Sequence, residues 1–226
     1  MNPAAAAHAR PLAILGGTFD PIHIAHLAVA WEAAELLGAE VRLMPASVPP
    51  HRPPPIADAT TRVAMLRAAL RGQDGIGLDT RELARGGPSY TIDTLDQMRA
   101  EEGDRPIVLL LGADAFAGLP GWHRWRALFE AAHIGVLSRP GVAREWPAEL
   151  AEEVAARQVA DPRLLRAQPA GLVAELEVTP LEISATRIRD LLAAGREPRY
   201  LLPQGLFDDP ALLAPYRQPG PQDRPS

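Results

Sequence analysis

The chain has 226 residues, of which 47% are hydrophobic and 23% are charged, as is ordinary for a globular protein. It contains no cysteine and no lysine, which excludes disulfides, thiolate metal sites, cysteine nucleophiles, lysine Schiff bases and a Walker-type phosphate loop. With a net charge of −5, the chain lacks the basic balance that broad binding to nucleic acid requires.

The distribution of apolar and proline residues predicts the domain organisation. No apolar run approaches the roughly 18 residues of a membrane-spanning helix, and residues 1–10 do not have the pattern of a signal peptide. We therefore expect a cytoplasmic protein that binds neither membrane nor nucleic acid. We also expect a flexible N-terminus over residues 1–10, a single domain over 11–205, and a Pro-rich C-terminal tail over 206–226, loosely attached or disordered from 210 onwards.

Strand patterns alternate with helix patterns along the chain. The predicted strands and helices are, in chain order, strand 11–15, helix 21–37, strand 41–44, helix 60–70, strand 76–79, helix 89–100, strand 106–111, helix 124–131, strand 134–137, strand 172–178 and helix 184–194. The run at 106–111 is almost continuously apolar, which is typical of a central parallel strand buried on both faces. The alternation predicts an α/β fold, a Rossmann-like doubly wound parallel sheet with helical C-terminal additions.

The first strand ends in the segment GGTFDPIHIAH, residues 16–26, at the end of a strand where such sheets bind ligands. Asp20 and Pro21 are predicted to be the N-cap and the first residue of the next helix. His23 and His26 then share one face of its first turn, where partial positive charge and unpaired amides attract phosphate. The pattern also fits a glycine turn beside two exposed histidines, whereas a zinc site lacks a nearby third ligand.

A second candidate phosphate site opens the last predicted helix, in the segment ISATRIR at 183–189. Ser184 is a natural N-cap, and its hydroxyl or the following amides can bind phosphate. The hydroxyl of Thr186 lies near the same end, and Arg189 can bridge two phosphates, with Arg187 as its competitor. An ordinary capped helix with exposed arginines is the alternative.

These segments carry a family resemblance. Residues 16–26 resemble the signature of the nucleotidyltransferase superfamily with the [HT]-x-G-H motif, except that Ala25 stands in place of the motif's glycine. Three further segments narrow the resemblance to bacterial nicotinate mononucleotide adenylyltransferases: PPHRP at 49–53, DTRELARGGPSYTIDTL at 79–95, and G-x-D followed by W-x-x-W-x-x-L within 112–128.

The resemblance implies that the domain at 11–205 transfers an adenylyl group from ATP to nicotinate mononucleotide. The products would be nicotinate adenine dinucleotide and pyrophosphate, and Mg²⁺ would accompany ATP. The superfamily signature alone leaves open another adenylyl- or cytidylyltransferase, such as a phosphopantetheine adenylyltransferase. A noncatalytic nucleotide-binding homologue, inactivated by the extra methyl group of Ala25, is a further alternative.

The resemblance also assigns roles to individual residues. It implies catalytic roles for His23, His26 and Arg189. It implies ATP binding by Gly16, Gly17, Thr18, Phe19, Gly112, Asp114, Ser184 and Thr186. It implies binding of nicotinate mononucleotide by Arg52, Tyr90, Thr91 and Trp122. By residue chemistry alone, Arg52 also fits a solvated loop, Trp122 a core position and Asp114 a helix cap.

Overall fold

A computed structural model describes residues 10–47, 54–87, 89–138 and 146–217. Within these residues, seven parallel strands form one sheet in the order β3-β2-β1-β4-β5-β7-β6. The strands are β1 (Leu12–Gly17), β2 (Glu40–Pro45), β3 (Ile76–Leu78), β4 (Ile107–Gly112), β5 (His133–Ser138), β6 (Gln158–Val159) and β7 (Val173–Glu177). The predicted Rossmann-like parallel sheet is therefore confirmed.

Helices connect the strands and cover the sheet. The α-helices are α1 (Ile24–Leu37), α2 (Ala59–Ala69), α3 (Arg81–Arg85), α4 (Thr91–Glu102), α5 (Ala113–Ala117), α6 (Ala127–Ala131), α7 (Ala148–Ala155) and α8 (Ala185–Ala193). Short 3₁₀ helices span Leu119–Gly121, Pro162–Arg166, Gln204–Leu206 and Pro210–Tyr216. Among the helices of the described residues, none has the length and apolar character needed to cross a bilayer.

The sheet separates two apolar cores. Alternate side chains of β1 enter different cores, with Ala13 and Leu15 in one and Leu12 and Ile14 in the other. The first core also contains side chains of α1, α2, α8 and the C-terminal 3₁₀ helices, and the second contains side chains of α4 to α7. Both faces of the central strands are thus covered, which explains why their sequences are apolar without alternation.

The order of the strands reverses at β1. This strand pairs with β2 on one side and with β4 on the other, while the chain reaches β4 only after β2 and β3. The connections leaving β1 and β4 therefore diverge to opposite faces of the sheet, and a crevice opens between them at the carboxyl ends of the strands.

The structure corrects the predicted start of the first helix. Helix α1 begins at Ile24 with His23 at the N-cap, three residues later than the Asp-Pro pair predicts. Asp20 is not its cap, because its carboxylate accepts hydrogen bonds from the backbone amides of Ile56 and Ala57 at 2.8 and 3.0 Å. A tertiary contact thus occupies the side chain that local sequence assigns to capping.

The structure also corrects the predicted C-terminal tail. Residues 210–217 are not loosely attached, because Leu213 and Tyr216 are at most 4% exposed and belong to the first core. Residues 1–9 and 218–226 lie outside the described residues. The proline content that predicts a loose tail instead accompanies 3₁₀ helices whose leucines are buried.

We expect Gly205→Ala to destabilise the fold, because a Cβ atom at Gly205 would meet the backbone carbonyl of Ala68 in α2. Backbone cannot rotate away as a side chain can, so the free energy of unfolding should fall by about 1–3 kcal/mol. Gly77→Ala is the matched control, since its Cβ would lie 3.6 Å from the Arg42 side chain, an ordinary contact. Thermal melts of both variants test this, and equal melting temperatures would contradict it.

Candidate active site

A cleft of about 1810 Å³ lies at the carboxyl ends of the strands, at the reversal point between β1 and β4. Every predicted site residue that the structure describes lines this cleft: Gly16, Gly17, Thr18, Phe19, His23, His26, Tyr90, Thr91, Gly112, Asp114, Trp122, Ser184, Thr186 and Arg189. Arg52 lies outside the described residues. Segments far apart in the sequence therefore meet at one cavity.

The turn after β1 is shaped by close packing of its own residues. A Cβ atom on Gly17 would lie 3.0 Å from the ring of Phe19, so a larger residue would displace that ring. Phe19 is 2% exposed and has a φ of +49°, in the left-handed region that few non-glycine residues adopt. Its ring packs edge-on against His26, with centroids 5.1 Å apart. Phe19 therefore packs against the imidazole of His26 and restricts its position.

The two histidines stack at the start of α1. Their ring centroids lie 3.6 Å apart and the ring planes differ by 19°. The backbone amide of His23 donates a hydrogen bond to Nδ1 of His26 at 3.3 Å. A neutral imidazole that accepts at Nδ1 carries its proton on Nε2, so His26 has a donor available there.

Both imidazoles are neutral at pH 7 in the free protein. Burial lowers the pKa of His23 from 6.5 to about 4. Burial, together with the neighbouring His23, lowers the pKa of His26 to about 3. Nδ1 of His23 is buried and has no hydrogen-bond partner among the described residues. The pair therefore offers hydrogen-bond donors without an initial positive charge, and an arriving anion would favour protonation.

The amide groups at the start of α1 are not all free. The amide of Ile24 donates to the carbonyl of Leu201 at 3.0 Å. The chain before the C-terminal 3₁₀ helices thus takes up one of the donors that the sequence predicts to be available for phosphate.

The start of helix α8 and its Arg189 also belong to the site. Ser184 caps it by accepting from the amide of Arg187 at 3.2 Å, as predicted. Arg189 donates through Nη1 to the carbonyl of Asp20 at 2.7 Å and through Nη2 to the hydroxyl of Thr186 at 3.2 Å. Arg187 is exposed and does not line the cleft. The geometry therefore favours Arg189 over Arg187 as the arginine of the site.

The cleft is also lined by Tyr90, Thr91 and Trp122. Tyr90 is the N-cap residue of α4, and Thr91 is its first residue. Trp122 is half-buried, with part of its ring against the second core, whereas Trp125 is buried within that core. The ring of Tyr90 lies 4.7 Å from that of His123, which also lines the cleft. Aromatic faces are thus available here for a planar ligand.

Gly112, the last residue of β4, and Asp114 also line the cleft. Gly112 is the N-cap residue of α5, and Asp114 is an exposed residue of its first turn. Asp114 is therefore not the helix cap that the sequence left open as an alternative. Its carboxylate remains accessible at the cleft, where it can accept hydrogen bonds from hydroxyl groups.

Arg62 joins two loops of the site, and it lies outside the motifs that the sequence shows. It is 2% exposed, and its Nη1 donates to the carbonyls of Thr18 and Ala46 at 2.8 and 2.9 Å. These carbonyls belong to the loops after β1 and β2, so one guanidinium joins both loops. Its position on the apolar face of α2, beside Met65 and Leu66, was the available signal.

Glu82 is a second residue that sequence reasoning misses. It is 8% exposed, lines the cleft and accepts a hydrogen bond from the hydroxyl of Thr94 at 3.0 Å. Burial raises its pKa above the ordinary value. The amide of Ser47 donates to the hydroxyl of Ser89 at 3.0 Å, which ties the loop after β2 to the turn before α4. These contacts fix the position of Tyr90 and Thr91.

The lowered histidine pKa values predict acid sensitivity. An unfolded histidine takes up a proton near pH 6.5, whereas His23 and His26 do so only near 4 and 3 in the folded protein. Because the unfolded chain binds more protons in that window, the free energy of unfolding should fall as the pH drops from about 6.5 to 4. Urea unfolding at pH 7.5 and 5.0 should show a smaller loss for the His23→Asn/His26→Asn variant than for wild type.

The exposed His123 provides the control for this experiment. His123→Asn should keep the pH dependence of the wild-type protein, and the buried His133 remains in every variant. Equal losses of stability in wild type and in the double variant would show that the histidine pair is not protonated on unfolding in this window.

Comparisons with known proteins agree with this geometry. Residues 14–191 match the cytidylyltransferase-like family. A probable nicotinate-nucleotide adenylyltransferase of Methylococcus capsulatus is 52% identical over 199 residues, covering 87% of this chain and 95% of the relative. One from Pseudomonas syringae pv. tomato is 47% identical over 218 residues, covering 96% of this chain and 98% of the relative.

Solved structures show the same fold at low sequence identity. Nicotinic acid mononucleotide adenylyltransferase of Plasmodium falciparum, complexed with NaAD, superposes with a TM-score of 0.66 at 15% identity, covering 92% of this chain and 96% of that one. The resemblance predicted from the motifs is confirmed by the relatives. The chain belongs to the cytidylyltransferase-like family and, within it, to the nicotinate-nucleotide adenylyltransferases.

Proposed function

We propose that this chain transfers the adenylyl group of ATP to nicotinate mononucleotide, giving nicotinate adenine dinucleotide and pyrophosphate. One observation carries the proposal. The hydrogen bond of 2.7 Å between Arg189 and the carbonyl of Asp20 brings the start of α8 against the turn that leads to α1. The groups at the start of α1 and those of α8, both suited to phosphate, therefore share one cleft. The aromatic residues Tyr90 and Trp122 line the same cleft.

The chemistry needs no covalent intermediate with the protein. An oxygen of the acceptor's phosphate forms a bond to the α-phosphorus of ATP, while the bond from that phosphorus to the bridging oxygen breaks. The electron pair of the broken bond leaves with pyrophosphate. Catalysis then consists of positioning the two substrates and stabilising the charge that develops on the phosphoryl oxygens.

The histidine pair suits the charge on the transferring phosphate. Their neutral imidazoles enter the reaction as hydrogen-bond donors, and negative charge on ATP favours a proton on either ring. Arg189, with Ser184 and Thr186, suits the departing pyrophosphate, because a guanidinium presents a planar set of donors that matches phosphate oxygens.

The turn at Tyr90 and Thr91 and the ring of Trp122 suit the nicotinate mononucleotide. The start of α4 offers backbone amides to a carboxylate, and the indole face can stack on a pyridine ring. We assign Arg52, on the loop between β2 and α2, to the phosphate of the same substrate. Gly16, Gly17, Thr18, Phe19, Gly112 and Asp114 lie where ATP would approach the strand ends.

A divalent metal fits this site as a companion of the triphosphate. Among the described residues, no group of three His, Asp or Glu side chains is arranged to enclose a metal ion. Of the cleft's carboxylates, those of Asp20 and Glu82 are buried and hydrogen-bonded, which leaves Asp114 exposed. This donor set suits Mg²⁺, which keeps several water ligands and binds through substrate phosphates. When bound, it would neutralise charge on the triphosphate.

A substrate panel tests the proposal directly. The protein is incubated with ATP, Mg²⁺ and either nicotinate mononucleotide, nicotinamide mononucleotide or phosphopantetheine, and both the adenylylated product and pyrophosphate are measured. We expect equimolar dinucleotide and pyrophosphate with the nicotinate form. Turnover only with phosphopantetheine, or ATP binding without turnover on any acceptor, would refute the proposal. The second outcome would support the noncatalytic alternative raised by Ala25.

Replacing either histidine should slow the reaction without unfolding the protein. His23→Ala and His26→Ala each remove a donor from the start of α1, and loss of one preorganised donor typically lowers kcat by about 10²-fold. Steady-state kinetics of both variants, with circular dichroism to verify folding, measure the effect. Wild-type turnover in both folded variants would show that the histidines are not catalytic.

The two arginines of α8 should differ in effect. Arg189→Ala removes a guanidinium that lines the cleft, and we expect kcat/KM for ATP to fall on the order of 10-fold to 100-fold. Arg187→Ala is the matched control on the same helix, because that side chain is exposed outside the cleft. It should leave kcat/KM within about twofold of wild type. The reverse order would assign the site to Arg187.

A further inference from the structure

A buried hydrogen bond connects the C-terminal segment to the turn after β1. Tyr216, the last residue of the 3₁₀ helix Pro210–Tyr216, is 4% exposed. Its hydroxyl donates to Oδ1 of Asp20 at 2.6 Å, across 196 positions of the sequence. Tyr216 does not line the cleft, although its partner Asp20 lies within the segment that bears both histidines.

Asp20 also bonds to two other parts of the chain, one through its carboxylate and one through its backbone carbonyl. Its carboxylate also accepts from the amides of Ile56 and Ala57, at the end of the loop between β2 and α2. Its backbone carbonyl accepts from Arg189 at 2.7 Å. The phenol, the carboxylate, the carbonyl and the guanidinium thus form one chain of contacts that ends at a phosphate-binding residue.

We propose that Tyr216 is a positioning residue of the adenylyl-transfer site, which it serves by holding Asp20 so that the carbonyl of Asp20 can orient Arg189. The inference rests on the proposed function for its effect on catalysis. Tyr216 does not touch the substrates in this arrangement. It acts on the site through Asp20, and its effect should appear on the side of the cleft that binds the triphosphate.

The hydroxyl group, rather than the packing of the ring, is the part that matters. Leu206, Leu212 and Leu213 already anchor the C-terminal segment in the first core. Burial and the adjacent carboxylate of Asp20 raise the pKa of Tyr216 far above its ordinary value, so the phenol is a permanent donor. Without this donor, Oδ1 of Asp20 keeps only the amide of Ala57. A buried carboxylate with fewer donors draws in water or rotates, and the carbonyl that holds Arg189 shifts with it.

Tyr216→Phe tests the inference, because it removes the hydroxyl and keeps the ring. Tyr200→Phe is the matched control, since Tyr200 is 88% exposed and the chemical change is the same. We expect Tyr216→Phe to lower kcat/KM for ATP about tenfold while KM for nicotinate mononucleotide stays within about twofold of wild type. Tyr200→Phe should match wild type in both. A purely structural role would lower the melting temperature without this selective loss.

A double-mutant cycle separates the proposed route from an independent effect. In an Arg189→Ala background, Tyr216→Phe should cost less than about twofold further in kcat/KM for ATP, because the residue it orients is gone. The same tenfold loss in both backgrounds would overturn the proposal. So would wild-type kinetics in folded Tyr216→Phe. If that variant melts below the assay temperature, Asp20→Asn serves instead, and it should show the same loss on ATP and the same dependence on Arg189.

A direct measurement of ATP-analogue binding tests the role of Tyr216 separately from the proposed reaction. Calorimetry with a nonhydrolysable ATP analogue needs no turnover, so it applies even if the panel of acceptors yields no dinucleotide. We expect the Kd of the analogue to rise about tenfold in Tyr216→Phe and to stay unchanged in Tyr200→Phe. Equal Kd values in wild type and Tyr216→Phe would overturn the positioning role whatever the reaction proves to be.

Discussion

Asp20 is a carboxylate that the fold encloses at 6% exposure, and a buried carboxylate is costly unless hydrogen-bond donors surround it. Its donors come from the loop before α2 and from the C-terminal segment, which also share the first core. The hydrogen bonds to this carboxylate therefore add to apolar packing in holding both segments against the turn after β1. The arginine of α8 then docks on the carbonyl of the same residue. Through this one residue the turn after β1 is tied to the loop before α2, to the C-terminal segment and to α8.

The site handles negative ligands without a large positive charge of its own. The protein carries a net charge of −5, and its histidine pair is neutral at pH 7 because burial disfavours the imidazolium. Arg62 is buried as well, but its charge faces backbone carbonyls of two loops and serves to join them. Among the described residues, only Arg189 places a full positive charge on the wall of the cleft. Attraction is thus confined to the place where the phosphates would lie.

Local sequence patterns predict the sheet and most residues that line the cleft. The start of α1 and the positions of Arg62 and Tyr216 depend instead on tertiary contacts. The strands were predictable because burial on both faces leaves long apolar runs, and the cleft residues because their motifs follow strand ends. The start of α1 was mispredicted because Asp-Pro resembles a cap, although the carboxylate binds elsewhere. Arg62 and Tyr216 act through partners distant in sequence, which no local pattern encodes. The roles of the predicted site residues stay predictions, and Arg52 lies outside the described residues.

The separation between Asp20 and Tyr216 has a consequence for how the protein is made. Translation proceeds from the N-terminus, so the strands and the histidine turn leave the ribosome well before the residue that completes the turn's hydrogen bonds. A nascent chain can assemble its sheet while Asp20 still lacks one of its three donors. The hydrogen bond from Tyr216 to Asp20 is therefore among the last contacts of the turn to form.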